Sequence, residues 1–214
     1  FAVYSTFLQR SYDMLVHDVA LQKLHVVLGV DRAGLVGPDG ETHHGCLDVS
    51  FLTGIPGFTV LCPASFAELR TMIHQALFET MVRWQSGIPG REGRFTADTS
   101  NQPVVRLREG TQAVLITYGI LVNQALEAAE QLEKEGISAK VLKLNRIAPL
   151  DMAAVLAQVR GDAPGSGLLR EEGAFERPRC GGFARLPHGG DMVEFTPSFS
   201  MMILLLFAQF QLRP

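Results

Sequence analysis

The sequence predicts an α/β fold built from parts of two domains. Three observations carry that expectation. Short apolar, β-branched runs alternate with stretches of helical spacing, the pattern of strands and helices packed in layers. Two Ser/Thr-x-x-Glu/Gln signatures, Thr6 with Gln9 and Ser65 with Glu68, mark helix starts. A polar segment from about Gln85 to Gln102, with Gly87, Pro89, Gly90 and Gly93, parts two such alternating regions as a linker does.

In chain order, Leu8, Tyr12, Leu15, Val16 and Val19 follow helical spacing behind Thr6, so a helix is expected from about Thr6 to Leu21. Leu24–Val30 reads as a buried strand ending at Asp31-Arg32, and a loop rich in Gly, Asp and His follows from Ala33 to Asp48. Phe58–Cys62 is the next strand. Pro63 stops it, and Leu69, Met72, Ile73, Ala76 and Leu77 mark a helix face behind the Ser65 cap. Beyond the linker, Ala113–Thr117 is a strand and Tyr118-Gly119 a turn. Val122, Ala125, Leu126, Ala129 and Leu132 share one helix face, and Gly136 ends that helix. Ala139–Leu144 is a further strand, Pro149 breaks it, and Asp151 caps a short helix to about Arg160. Gly161–Ser200 contains eight Gly and four Pro, which leaves little room for long regular elements. The apolar run behind it, Met201–Phe207, suits a buried strand or helix.

Composition narrows the function classes. The 214 residues include 19 Lys+Arg and 22 Asp+Glu, a formal charge of −3 with no basic footprint for nucleic acid. Hydrophobic residues make up 47% and charged residues 19%, which fits a chain with a core and argues against general disorder. The longest unbroken apolar run, Met201–Ala208, is far short of the roughly 20 residues a bilayer span needs, so no membrane partner is expected. Cys46, Cys62 and Cys180 are odd in number and scattered, which excludes a disulfide scaffold and favours a reducing compartment. Phe1–Gln9 does not read as a signal peptide. The chain opens on Phe1 rather than Met, amid residues that read as folded core, so further sequence upstream is expected.

The candidate chemistry lies in one segment. In open α/β sheets ligands bind beyond the carboxyl ends of strands, and Asp31-Arg32 sits at such an end. The following stretch to Gly45 collects acids, His43, His44 and four glycines. Arg32 has the planar fork that binds phosphate by paired charge-assisted bonds, and a histidine can pass a proton to or from an oxygen near neutral pH. A Gly/Asp loop with one Arg is also an ordinary surface turn. His43-His44 beside Cys46 is not read as a metal site, because adjacent residues on an extended chain point to opposite sides. His25 reads as a core or edge-strand residue, His17 and His74 as helix-surface residues, and Cys62 as a small buried apolar one. Tyr4 and Phe7, taken alone, read as core aromatics.

Three motifs then make a family recognisable. Tyr4-Ser5-Thr6-Phe7-Leu8-Gln9-Arg10, Asp31-Arg32-Ala33-Gly34-Leu35-Val36-Gly37 and Asp39-Gly40-Glu41-Thr42-His43 closely resemble the 1-deoxy-D-xylulose-5-phosphate synthase family, which is transketolase-like and thiamine-diphosphate-dependent. The resemblance runs from Phe1 to about Ala157 with one interruption. It implies carboligation of pyruvate with glyceraldehyde 3-phosphate and loss of carbon dioxide, giving a precursor of isoprenoids, thiamine and pyridoxal. It implies that Phe7 stacks on the cofactor's aminopyrimidine, with Tyr4 and Arg10 lining the same pocket. Arg32 would hold the aldehyde's phosphate, Tyr4 and Asp39 would position the acceptor, and His43 would assist proton transfer. His44, where the family commonly has Gln, receives no role. A homodimer and a bacterial cytoplasmic or plastid location are the family's implications.

The chain also departs from the family. The glutamate that activates the aminopyrimidine and the domain that binds the diphosphate through Mg2+ are expected upstream, and no metal ligand is expected in this chain. Where the family has an arginine for phosphate, this chain has Ser86 in Val82-Arg83-Trp84-Gln85-Ser86-Gly87; Arg91 is either its substitute or a solvated loop charge. Glu171-Glu172-Gly173 matches the start of a later family segment, and little beyond it is recognisable. The expected organisation is therefore 1–94 as the carboxyl-terminal part of a pyrimidine-binding domain, 95–160 as the start of the transketolase carboxyl-terminal domain, and 161–214 as an atypical tail. Two functions remain open: part of a carboligase, inactive alone, or a non-catalytic remnant that binds a partner.

Overall fold

A computed structural model of the chain describes residues 1–34, 39–78 and 93–159, together with the backbone of three short strands at 182–184, 193–195 and 204–207. The mixed α/β class predicted from periodicity is the class observed.

The chain begins with strand β1 (Ala2–Tyr4), which pairs in parallel with β2 (Gly29–Asp31) so that Tyr4 lies opposite Asp31. Between them the predicted helix is present but changes pitch three times. It runs as α1 (Ser5–Leu8), a 3-10 turn (Gln9–Ser11), α2 (Tyr12–Met14) and a π-helical stretch (Leu15–Ala20). The Thr6–Gln9 capping box does not form. The N-cap is Tyr4 without a side-chain bond, and the Thr6 hydroxyl donates instead to the distant Thr42 carbonyl at 3.1 Å. The second strand is shorter than predicted, because β1 offers partners only from Gly29 to Asp31. Leu28 and Val30 are still buried, as the apolar run implied.

Helix α3 (Asp48–Thr53) follows the glycine-rich loop and was not legible in sequence. Strand β3 (Val60–Leu61) leads into α4 (Phe66–Phe78) through the second predicted cap, which does form: the Glu68 amide donates to Ser65 Oγ at 3.1 Å. The Glu68 carboxylate reaches back one residue further than the usual box, accepting the Ala64 amide at 2.8 Å.

The second region is a sheet of β4 (Val104–Arg108), β5 (Ala113–Tyr118) and β6 (Ala139–Leu144), with α5 (Val122–Lys134) connecting the parallel pair β5–β6. Strand β4, missed in sequence, pairs antiparallel with β6. Strand β7 (Arg146–Ala148) and helix α6 (Met152–Val159) complete it, with Asp151 Oδ1 capping the Ala154 amide at 2.9 Å as expected. Gly136 ends α5 with φ +81°, the left-handed conformation that favours glycine at a helix end. Alternation along β5 sends Leu115 against Ala125 and Ala129 of α5, and Ile116 to the opposite face with Val155 and Val159 of α6. The tail contributes the backbone of β8 (Gly182–Ala184) and β9 (Val193–Phe195), an antiparallel pair, and of β10 (Leu204–Phe207), which lies antiparallel beside β5. The apolar run at 201–207 thus includes a strand.

The two regions are joined by backbone pairing and a shared core. Strand β3 pairs with β7, and Ile147 and Ala148 pack with Leu8, Leu52, Val60 and Cys62. The described part of the predicted linker is not a free tether, since Phe95 is buried against Ala64 and Val122.

Candidate active site

The parallel pairing of β1 and β2 places Tyr4 and Asp31-Arg32 side by side at two strand carboxyl ends, the position from which an α/β sheet presents ligands. Arg32 is held there in an uncommon conformation, with φ +55°, while its amide donates to Asp31 Oδ1 at 2.6 Å. The left-handed region costs a non-glycine residue about 1–2 kcal/mol, and such strain concentrates at functional sites.

Five side chains gather on this platform. The Tyr4 and Phe7 rings are stacked with centroids 5.9 Å apart and planes 11° from parallel. The His43 imidazole stands edge-on to both, 5.4 Å from Phe7 and 6.3 Å from Tyr4. Arg10 lies over Phe7 at 6.0 Å and Arg32 over Tyr4 at 5.6 Å, so a cation flanks each ring. Phe7 is 41% exposed, which argues against the core-aromatic reading and leaves ring surface for a ligand.

Arg32 faces Asp39, with Nη1 3.4 Å from Oδ2. Bonding to the Tyr4 hydroxyl first, and then the charge of Asp39, raises the Arg32 pKa further above its ordinary value. Asp39 Oδ2 is closed to water and has no hydrogen-bond partner among the described residues. The ion pair with Arg32 offsets part of the cost of burying that oxygen, and a ligand hydroxyl would add the hydrogen bond it lacks.

The loop that carries His43 is fastened at both ends. Gly40, at φ +74°, accepts the His43 amide at 3.1 Å and opens a 3-10 turn over Glu41–His43. At the other end Gly34 and Gly45 exchange both backbone hydrogen bonds at 2.8 Å. A Cβ on Gly45 would lie 2.3 Å from Ser5 Oγ and 2.5 Å from the Arg32 carbonyl, so this approach requires glycine. In the middle, Thr6 bonds the Thr42 carbonyl, and Thr42 Oγ1 lies 2.9 Å from His43 Nδ1.

All six sequence-predicted site residues, Tyr4, Phe7, Arg10, Arg32, Asp39 and His43, therefore share one locality. Ser86 and Arg91 lie outside the described residues. Three other histidines make contacts elsewhere: His17 pairs with Asp13, His25 Nε2 meets the Ala76 carbonyl at 2.8 Å, and His74 packs on Phe78. Cys62 is buried, and burial pushes its thiol pKa well up. Among the described residues no group of three or more His, Cys, Asp or Glu side chains could hold a metal ion, and no helix is long and apolar enough to cross a membrane.

Residues 1–82 match the transketolase pyrimidine-binding domain and residues 103–163 the transketolase C-terminal domain. The 1-deoxy-D-xylulose-5-phosphate synthase of Chlorobium luteolum is 47% identical over 161 residues, 72% of this chain and 25% of that protein. The chain belongs to the transketolase-like 1-deoxy-D-xylulose-5-phosphate synthase family. The Bacillus velezensis synthase is 38% identical over 207 residues, 94% of this chain and 31% of that protein, so similarity in the family reaches into the segment beyond 163. A solved split-gene transketolase, described as an inactive β4 tetramer, has the same fold at TM-score 0.62 and 23% identity, covering 75% of this chain and 53% of that one. The chain spans about a quarter of the length of the curated Chlorobium synthases it matches.

Membership sharpens what sequence reasoning missed. The Thr6–Thr42 bond, the Arg32–Asp39 ion pair and the Gly45 approach are contacts between residues apart in sequence that no local pattern encodes. The one signal was the run Asp39-Gly40-Glu41-Thr42-His43, in which Thr42 precedes the histidine it contacts.

Proposed function

We propose that this chain supplies the aminopyrimidine and acceptor side of a carboligase that joins pyruvate to glyceraldehyde 3-phosphate with loss of carbon dioxide. The observation that supports it most is the convergence of Arg32, Asp39, His43 and the Tyr4–Phe7 stack at two parallel strand ends. Phe7, with ring surface exposed, and Arg10 beside it suit a flat heterocycle such as the aminopyrimidine of thiamine diphosphate. When bound, that cofactor supplies the carbanion chemistry, and the protein supplies orientation and charge.

In this reading Arg32 binds the phosphate of the acceptor, being half open to solvent on one side and steadied by Tyr4 on the other. Asp39 Oδ2 accepts a hydroxyl of the same molecule. With the phosphate on Arg32 and the adjacent hydroxyl on Asp39, 3.4 Å from it, the aldehyde is the free end and extends toward the ring cluster and the edge-on His43. His43 gives a proton to the oxygen that gains charge as the new carbon–carbon bond forms. The domain assignment follows: 1–94 completes a pyrimidine-binding domain and 95–160 begins the carboxyl-terminal one. Residues outside this chain provide the diphosphate and Mg2+ contacts, so the chain by itself does not turn over pyruvate.

Joining the chain to the remaining part of the Chlorobium luteolum synthase tests the proposal. Product from pyruvate and glyceraldehyde 3-phosphate is expected from the joined enzyme and not from the chain alone. A joined, folded enzyme that binds thiamine diphosphate but forms no product would favour a non-catalytic remnant.

A further inference from the structure

The structure places one residue, Thr42, between the loop histidine and the helix that carries Phe7. We propose that Thr42 is a positioning residue that holds the His43 ring by Nδ1 and leaves Nε2 as the nitrogen that meets the ligand. The inference rests on the carboligation reading only for what Nε2 meets.

Two contacts of Thr42 carry it. Its Oγ1 lies 2.9 Å from His43 Nδ1, and its carbonyl accepts the Thr6 hydroxyl at 3.1 Å. Thr6 is 8% exposed and immediately precedes Phe7 on α1, so the second contact ties the turn to the element that bears the aromatic face. The backbone bond from His43 to Gly40 fixes where the ring is attached, but not its rotation about χ1 and χ2. The Thr42 hydroxyl supplies that missing restraint. Donation from that hydroxyl to Nδ1 would place the neutral ring's proton on Nε2 and make Nε2 a donor toward a ligand oxygen. Ring and Phe7 edge then stay at their 5.4 Å separation as one unit. A threonine at this place thus acts through its neighbour and touches neither reactant.

The test uses the intact chain with 15N-labelled histidine, at a pH where the ring is neutral, with His43 assigned by its loss in His43→Gln. In the native chain the His43 ring protons should be displaced by the Phe7 and Tyr4 rings and show nuclear Overhauser contacts to Phe7. The Nδ1 resonance should be that of an unprotonated acceptor. Thr42→Ser should keep all three signatures. Thr42→Val, of nearly the same shape, should lose the contacts to Phe7 and move the ring protons toward free-imidazole positions. Thr42 is exposed, so neither variant should alter the amide spectrum elsewhere. Unchanged His43 signals in Thr42→Val, or their loss in Thr42→Ser, would overturn the proposal. The measurement needs no substrate or cofactor, so it can fail while carboligation stands, and the reverse.

Discussion

Glu68 and Lys143 stand 75 residues apart, are both fully buried, and meet at 2.8 Å. Glu68 belongs to α4 of the first region and Lys143 to β6 of the second, so the pair crosses the domain junction. Its valences are filled. Glu68 Oε1 also accepts the Thr99 amide and hydroxyl, while Lys143 bonds Asn145 Oδ1 and lies 5.5 Å over the Phe95 ring. Burial holds the Lys143 pKa below its ordinary value, with Glu68 opposing that shift. Removing one partner leaves a buried charge alone, which costs about 3–5 kcal/mol. Lys143→Met should therefore shift urea unfolding of the whole chain by that amount, and Glu68→Gln/Lys143→Met should recover part of it. A double variant as unstable as the sum of both single ones would show that the two groups act independently.

Asp98 tests whether the linker is fastened in the same way. Burial raises its pKa, but hydrogen bonds from Ser100 and from Thr71 of α4 outweigh this and set it below the ordinary carboxylate value. A depressed folded pKa contributes stability that is present above the unfolded value and lost as pH falls through the folded one. Asp98→Asn should thus unfold at lower temperature than the native chain near neutrality, and the difference should close as pH falls below the ordinary carboxylate range. A gap that stays constant with pH would remove the charge from the explanation.

Gly45→Ala probes the close approach beneath the site. The added carbon would collide with Ser5 Oγ and with the Arg32 backbone carbonyl, neither of which can retreat without moving the strand end. Overpacking of this kind costs about 1–3 kcal/mol. Chemical denaturation should show that loss, and the Arg32 amide resonance should shift with it. An alanine variant as stable as the native chain would mean the loop tolerates separation from β2.

Phe7→Ala separates ligand binding from folding. Its ring is 41% exposed, so the fold should change little. Thiamine carries the aminopyrimidine without the diphosphate and suits this chain as a probe. Loss of one aromatic contact is worth about 0.5–1.5 kcal/mol, hence roughly two- to tenfold weaker binding in an NMR titration. Equal affinity in both proteins would remove Phe7 from the ligand's path.

Much of the fold could be read from the chain. Strand β6 has the predicted ends, Ser65 caps α4, Asp151 caps α6, and Gly136 takes the conformation that stops α5, because each depends on neighbours within a few residues. Expectation and structure part where distant residues decide. Thr6 has the pattern of a cap yet gives its hydroxyl to Thr42, and Leu24–Leu28 has strand composition without a partner strand among the described residues. Strand β4 has Arg106 and Arg108 interrupting its apolar residues, which hid it. Lys140 and Lys143 lie buried in β6, where composition alone suggests exposure; the Gln158 carbonyl and the Glu68 carboxylate, both remote in sequence, accept hydrogen bonds from them. At the site, the motifs brought the six residues to notice, and the parallel register of Tyr4 with Asp31 explains why they meet.

The most direct test of the carboligation reading is the effect of Arg32→Ala in the chain joined to the rest of the Chlorobium luteolum synthase. Loss of a charge-assisted phosphate contact of about 1.5–3 kcal/mol should lower kcat/KM for glyceraldehyde 3-phosphate roughly ten- to hundredfold, with a much smaller change for pyruvate. Equal losses for both substrates would contradict the phosphate role of Arg32 and, with it, the acceptor site drawn at these strand ends.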